Sequence, residues 1–200
     1  MSDRKDLKIS ETKTVYVRNP GVIDTQEADW EYSKMFNKAL INGIMPKAAL
    51  IEVLKTNNIL SEEEDQLIGS IQENLTGLAL DLEDAAKDAK KEKFEEIRDK
   101  ISTERSRLFE LIQKRSSILS HCAEEKANEA RIMYFCYSCT ENEDGSKVWK
   151  NLEKLKEEKD INLVNSVVYT VMLMINGISD DYINELPENK IKIDEDDPTG

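Results

Sequence analysis

The chain has 200 residues, enough to bury a substantial hydrophobic core. Its 28 Lys and Arg against 41 Asp and Glu give a formal net charge of −13, which repels phosphate backbones and anionic membranes and argues against nucleic-acid binding. Charged residues reach 34% while aromatic residues reach 6%, and Gly and Pro are few, a mixture that favours helices over an all-β sandwich.

The N-terminal segment is charged and lacks the apolar run of a signal peptide, so export is not expected. Residues 1–12 show no apolar periodicity, which predicts disorder. The run Lys13–Arg18 is rich in β-branched and aromatic residues and stops at Asn19-Pro20-Gly21, which predicts a single strand or extended arm. Because nothing else in the chain has a strand pattern, we expect this arm to lie against the helices or to pair with another chain.

Three short helices follow in the sequence, and together they predict a compact helical head. Each has apolar residues at helical spacing and recognisable start and stop signals. The first two are predicted to start at Asp24, with Glu27 completing a capping-box pattern, and at Pro46. The third starts at Ser61, and the stop signals are Asn42-Gly43, Asn57-Asn58 and Thr76-Gly77.

Residues 80–120 contain neither Gly nor Pro and predict one long central helix of about 60 Å. Its apolar residues form a coiled-coil-like heptad seam in which Glu104 and Arg115 occupy two positions. The apolar phase changes between Lys87 and Lys93, where we expect the helix to become solvated. The seam either packs along the chain's own domain or forms an arm that pairs with another chain. Its partner-binding candidates, called the heptad seam below, are Phe94, Ile97, Ile101, Leu108 and Leu111.

The C-terminal third continues the all-α pattern, so we expect a single helical domain over residues 13–187. It contains a helix over Ala123–Cys139, a turn, a short amphipathic helix and then the apolar stretch Ile161–Ile175, which Asp160 caps. This stretch is too short and too polar to span a bilayer and predicts a buried helix. A final helix is predicted from Ser179, and residues 188–200 form an acidic tail that is expected to be mobile.

The best candidates for metal binding or redox chemistry are His121, Cys122, Cys136 and Cys139. Zinc is one hypothesis for them, but neighbouring helix residues diverge by about 100°, so His121 and Cys122 are poorly placed to meet the Cys136-x-x-Cys139 pair. Redox chemistry is another, but this pair lies at the end of its predicted helix, where the helix dipole disfavours a thiolate. We therefore expect buried, reduced thiols and assign no catalytic, metal or cofactor-binding residue.

Four segments, taken together and in order, resemble a family of about this length encoded by large tailed bacteriophages. They are Val15–Pro20, Glu27–Leu50, Cys122–Cys139 with the turn ENEDGSKVW after it, and Leu186–Lys190. Some members of that family carry the label tail assembly chaperone. The shared motifs are helix-packing patterns and a turn, so no site residue is carried over from the family.

The resemblance implies a non-enzymatic phage protein, made in the cytoplasm of the bacterial host, that binds other phage structural proteins. It would act as an assembly chaperone or scaffold in tail morphogenesis. The alternative is a permanent structural component of the virion tail or neck. No nucleic acid, membrane or cofactor is expected as a partner, and self-association through the long helix stays open. A seam interrupted by Glu104 and Arg115 fits moderate and reversible binding.

Overall fold

The structure is a computed structural model that describes residues 4–11, 13–88, 90–178 and 181–192. Helices dominate these residues, as the composition predicts. The strands are β1 (Arg4–Lys8), β2 (Thr14–Arg18) and β3 (Thr140–Glu141). The longer helices are α1 (Val22–Ile41), α2 (Lys47–Thr56), α3 (Glu62–Lys87), α4 (Lys91–Leu119), α5 (Ala123–Cys139) and α7 (Ile161–Ile175). The short helices are α6 (Leu152–Lys156), α8 (Tyr182–Glu185) and α9 (Pro187–Lys190).

The contacts divide the chain into two compact units, whereas the sequence predicted one helical domain over residues 13–187. Unit 1 takes its described residues from 1–50 and 120–180, and unit 2 takes them from 51–119 and 181–200. The segment that carries α3 and α4 is therefore an insertion within the sequence of unit 1.

Unit 1 contains a three-stranded antiparallel sheet in the order β1-β2-β3. The predicted strand is confirmed as β2, but the prediction of disorder is wrong for β1, which pairs with β2 in the register Leu7 to Val15. The charged residues of β1 mask its strand pattern in the sequence. In the structure, Leu7 and the following Ile9 pack on the core, and the Arg4 guanidinium lies 4.2 Å from the ring centroid of Tyr16. Residues 1–3 and 12 lie outside the described residues.

Helices α1 and α5 of unit 1 pack against each other in antiparallel orientation. Asp29 of α1 pairs with Arg131 of α5, and the Ala123 N–H donates to the Met45 carbonyl oxygen at 2.9 Å. Small buried residues on the two helices allow their backbones to approach closely: Ala28, Ala39, Ala123 and Ala127.

Helix α1 begins earlier than the sequence predicted. The predicted cap, Asp24, lies inside the first turn and accepts a hydrogen bond from the Gly21 N–H at 2.8 Å. Gly21 is therefore the N-cap, and the carboxylate stabilises the helix start from the third helical position.

The core of unit 1 lies where β2, α5 and one side of α7 meet. Trp149, before α6, closes this core and donates from its indole N–H to Glu158 Oε2 at 3.0 Å. The principal buried side chains are Val15, Val17, Phe135, Cys136, Cys139, Leu155, Leu163, Val167 and Val171.

Unit 2 is built on a hairpin of α3 and α4. The predicted long helix is confirmed as α4, but it begins at Lys91 and not near residue 80, because residues 80–87 belong to α3. Helix α3 ends at Lys87 and α4 begins at Lys91, so the phase change in the sequence marks a change of direction. Ion pairs of Lys114 with Glu64 and of Arg115 with Asp65 join the end of α4 to the start of α3. The buried cluster between the helices contains Leu82, Ala85, Phe94, Ile97 and Ile101.

The start of the C-terminal segment packs on this hairpin, whereas the sequence predicted a mobile tail from residue 188. Glu188 of α9 is buried and pairs with Arg105, and Ile191 packs against the buried cluster. The predicted helix cap at Ser179 and the remaining tail, residues 193–200, lie outside the described residues.

Candidate interaction surface

The heptad seam is mostly internal, which corrects its assignment as a partner-binding surface. Phe94, Ile97 and Ile101 are buried in the core of unit 2 and are unavailable to a partner or to a second copy. Leu108 and Leu111 are half-buried. The seven-residue spacing therefore arises from the packing of α4 against its own chain.

Helix α7 of unit 1 has apolar side chains on both its buried and its exposed side. One side packs into the core through Leu163, Val167 and Val171, as the prediction of a buried helix requires. The other side was not predicted to be exposed. We call it the α7 face, and it comprises Ile161, Asn165, Tyr169, Met172 and Ile175, whose four apolar members are 69%, 65%, 42% and 37% exposed in that order.

Electrostatically, α7 differs from the other described helices because it contains no Asp, Glu, Lys or Arg. Its start is fixed by Asp160, which accepts from the Leu163 N–H at 3.0 Å and lies 3.6 Å from Lys13 Nζ. The spacing of the α7 face follows the helical repeat, so its side chains form one ridge along the helix. A chain with 34% charged residues thus keeps an uncharged ridge at its surface.

The ridge ends at an open groove of about 450 Å³ in unit 1. Met174 and Ile175 of α7 and Arg131 and Phe135 of α5 are among its lining residues. The Arg131 guanidinium lies 5.7 Å from the Phe135 ring centroid, and its Nε lies 2.9 Å from Asp29 Oδ1 without the alignment of a hydrogen bond. The lining therefore combines apolar side chains with one cation and with the polar residues Asn19, Thr25 and Asn176, which suits a mixed polar and apolar segment of another protein.

Asn19 and Pro20, which also line the groove, lie next to a polar cluster around Arg18. Arg18 donates to both Asp24 oxygens, at 2.7 and 3.0 Å, and to Glu141 Oε1 at 3.0 Å. Its remaining hydrogen bonds go to the carbonyl oxygens of Asn19 and Ser138, at 3.1 and 2.9 Å. One guanidinium thus joins β2, α1 and the end of α5, and its fork geometry makes this junction rigid.

The same cluster shifts the pKa values of its members. Hydrogen bonding to Asp24 raises the pKa of Arg18, and the hydrogen bonds from Arg18 lower the pKa of Asp24. Burial alone would raise the pKa of Glu141, but hydrogen bonds from Lys147 and Arg18 outweigh it and lower that pKa. These shifts stabilise a charged, fully bonded network, which indicates a structural role.

The cysteines lie in the core of unit 1 or at its edge, and His121 is exposed. Burial raises the pKa of Cys136 to about 12 and also raises the pKa of Cys139. Raised pKa values leave thiols protonated and unreactive near neutral pH. Within the described residues, no group of three or more His, Cys, Asp or Glu side chains is arranged to hold a metal ion.

We expect iodoacetamide to leave Cys136 and Cys139 unmodified in the native protein at about pH 8, where a free thiol is partly ionised. Mass spectrometry of the digested protein measures this, and unfolding in guanidinium should expose all the cysteines to the reagent as a control. Rapid modification of Cys136 in the folded protein would contradict the buried, protonated state.

Of the described helices, none has the length and apolarity to cross a membrane. The sequence contained one signal for the α7 face that the prediction of a buried helix missed. The apolar stretch has hydrophobic residues on every side of the helix, so the core of unit 1 buries one side and leaves another exposed. Comparisons with protein-family models, with curated proteins and with solved structures find no match.

Proposed function

We propose that the chain is a non-enzymatic protein that acts by binding other proteins through the α7 face. The observation that carries this proposal is the exposed, uncharged ridge of Ile161, Tyr169, Met172 and Ile175. Taken with the resemblance to the tailed-phage family, the proposed partners are phage structural proteins. The chain would serve as an assembly chaperone or scaffold in tail morphogenesis in the host cytoplasm.

The size of the α7 face suits transient binding. Full burial of a large apolar side chain contributes about 1.5–3 kcal/mol, and the members of this ridge are already partly buried. Association also costs several kcal/mol in lost translational and rotational freedom. A ridge of one helix therefore supports moderate affinity, which lets an assembly factor shield a partner's apolar surface and later release it.

The charge distribution supports the same proposal. A net charge of −13 disfavours aggregation of the free protein and attracts basic partners over distances of about a Debye length. Because α7 itself has no charged residue, a partner docks on it without burying an unpaired charge from this chain.

Replacing Tyr169 and Met172 together with glutamate tests the α7 face. We expect the Tyr169→Glu/Met172→Glu variant to lose binding to co-expressed tail proteins by about tenfold or more, since two charges would be desolvated at the contact. Co-purification followed by titration calorimetry measures the loss, and urea unfolding should show stability within about 0.5 kcal/mol of the parent protein.

The matched control is the Phe109→Glu/Ile112→Glu variant on α4. These residues have the same i, i+3 spacing and almost the same exposure, 63% and 43%, but lie on a helix rich in charges. The control should retain binding. Equal loss in both variants, or none in either, would contradict the proposed role of α7.

Mass spectrometry of purified virions distinguishes the two assembly roles. A chaperone or scaffold should be missing from the finished particle, whereas a permanent tail or neck component should recur at a fixed copy number. The second result would keep the α7 interaction but assign it to the mature virion.

A further inference from the structure

The C-terminal segment of unit 2 is bound to α4 in the manner of a short peptide ligand. Glu188 accepts from Arg105 Nε and, at 3.0 Å, from the second guanidinium nitrogen, so the pair is bidentate. Ile191 packs against the buried cluster that includes Phe94 and Ile97. The segment therefore has two anchors, one carboxylate and one branched aliphatic side chain.

The conformation of this segment depends on its own local hydrogen bonds. Leu186 O accepts from the backbone N–H groups of Asn189 and Lys190, both at 2.9 Å. The Asn189 side chain donates to Ile183 O at 2.7 Å. The two residues between the anchors, Asn189 and Lys190, are exposed. One turn of helix thus places Glu188 and Ile191, three residues apart, on the side that contacts the hairpin.

The described residues of the segment, up to Lys192, fill the groove incompletely. An open cavity of about 450 Å³ lies beside Ile191, lined also by Lys91, Phe94 and Arg98. A second, of about 410 Å³, lies beside Glu188 and Arg105. The two cavities share Arg98, Glu188 and Asn189, so space that the described residues leave open extends along α4 beside the segment.

We propose that this groove is a binding site for a segment of a partner protein, and that residues 187–191 occupy it as an internal competitor. The partner segment carries a carboxylate that pairs with Arg105 and, three residues later, a branched aliphatic side chain that enters beside Phe94. On the α4 side the groove is lined by Lys91 and Arg98 and by one carboxylate, Glu95, which lies 3.7 Å from Arg98, so cationic side chains outnumber acidic ones and favour an acidic segment. This site is separate from the α7 face and does not depend on the function proposed for it.

The internal segment sets the apparent affinity for an external one. A tethered ligand has an effective concentration in the millimolar range, so a free peptide of similar affinity competes poorly. Weakening the two anchors should open the groove without removing Arg105 or Phe94.

The probe is a fluorescein-labelled synthetic peptide of residues 185–192, ELPENKIK, and its binding to the full chain is followed by fluorescence anisotropy. We expect the Glu188→Ala/Ile191→Ala variant to bind it on the order of tenfold more tightly than the parent protein. Adding Arg105→Ala to that variant should abolish binding. A control peptide in which glutamine replaces the second glutamate and alanine replaces the isoleucine should not bind.

A Glu188→Gln variant weakens only the ion pair with Arg105 and keeps the packing of α9. We expect its affinity for the peptide to lie between those of the parent protein and the Glu188→Ala/Ile191→Ala variant. Hydrogen exchange of α3 and α4 verifies that each variant is folded. The proposal is overturned if folded variants of both kinds bind the peptide no better than the parent protein, or if binding is insensitive to Arg105→Ala.

Discussion

Replacing Ile101 with aspartate is expected to unfold the α3–α4 hairpin. Ile101 is 1% exposed and packs with Leu82, Ala85 and Phe94. A carboxylate at this position would lose its hydration without gaining a partner, in addition to the loss of apolar contacts. The expected destabilisation exceeds about 4 kcal/mol, a large part of the stability of a small unit. Hydrogen exchange of α3 and α4 measures it directly.

Two further residues of α4 calibrate this result. Leu108→Asp changes a half-buried residue and should cost less, whereas Phe109→Asp changes a largely exposed residue and should stay within about 0.5 kcal/mol. Retained protection of α3 and α4 in Ile101→Asp would show that the heptad seam faces outward, which is one of the two alternatives that the sequence leaves open.

Removing the Arg18 guanidinium should have the second largest effect. Arg18→Met keeps most of the aliphatic stem but leaves Asp24, Glu141 and the Ser138 carbonyl oxygen without their shared donor. Breaking a fully buried ion pair costs about 3–5 kcal/mol, and we expect about 2–3 kcal/mol because Arg18 is partly exposed. Urea unfolding measures the change, and Lys34→Met, which removes an exposed pair on α1, is the control.

The pH dependence of stability should change in the same variant. The pKa of Asp24 is lowered in the folded protein, so its contribution is complete above the ordinary aspartate pKa and is lost as pH falls through the lowered value. The parent protein should therefore lose stability below about pH 4 more steeply than Arg18→Met. Parallel acid titrations followed by circular dichroism compare the slopes, and equal slopes would contradict the pairing.

Local sequence signals predicted the parts of the fold that local interactions stabilise. Ser61 accepts from the Glu64 N–H at 3.1 Å, and Asp160 caps α7, as their capping patterns indicate. The helix over Ala123–Cys139 is confirmed with the predicted bounds. For α3 and α7 the hydrogen bond that defines the helix start joins residues three positions apart.

Features set by distant contacts were not predictable in the same way. Strand β1 is charged and forms because β2 offers it a partner. The break between Lys87 and Lys91 contains no Gly or Pro and allows α4 to fold back along α3. A heptad pattern looks the same whether the partner helix belongs to another chain or to the same one, so the sequence alone left both alternatives open.

The candidate surface shows the same limit. The apolar composition of α7 predicted a helix, but which side meets β2 and α5 depends on tertiary packing. The contact between Glu188 and Arg105 spans 83 residues and has no sequence signature. The acidic composition of the C-terminal region consequently suggested mobility for a glutamate that is buried.

The insertion of the hairpin into unit 1 affects the order in which the chain matures during synthesis. The ion pairs that close the hairpin join residues 50 positions apart, whereas the hydrogen bond of Arg18 to Glu141 joins residues 123 positions apart. As the nascent polypeptide leaves the ribosome, the hairpin has all its helical residues before α5 emerges to meet α1. The alanines of α1 that α5 buries in the folded protein therefore stay exposed until more than half of the polypeptide that follows α1 has been translated.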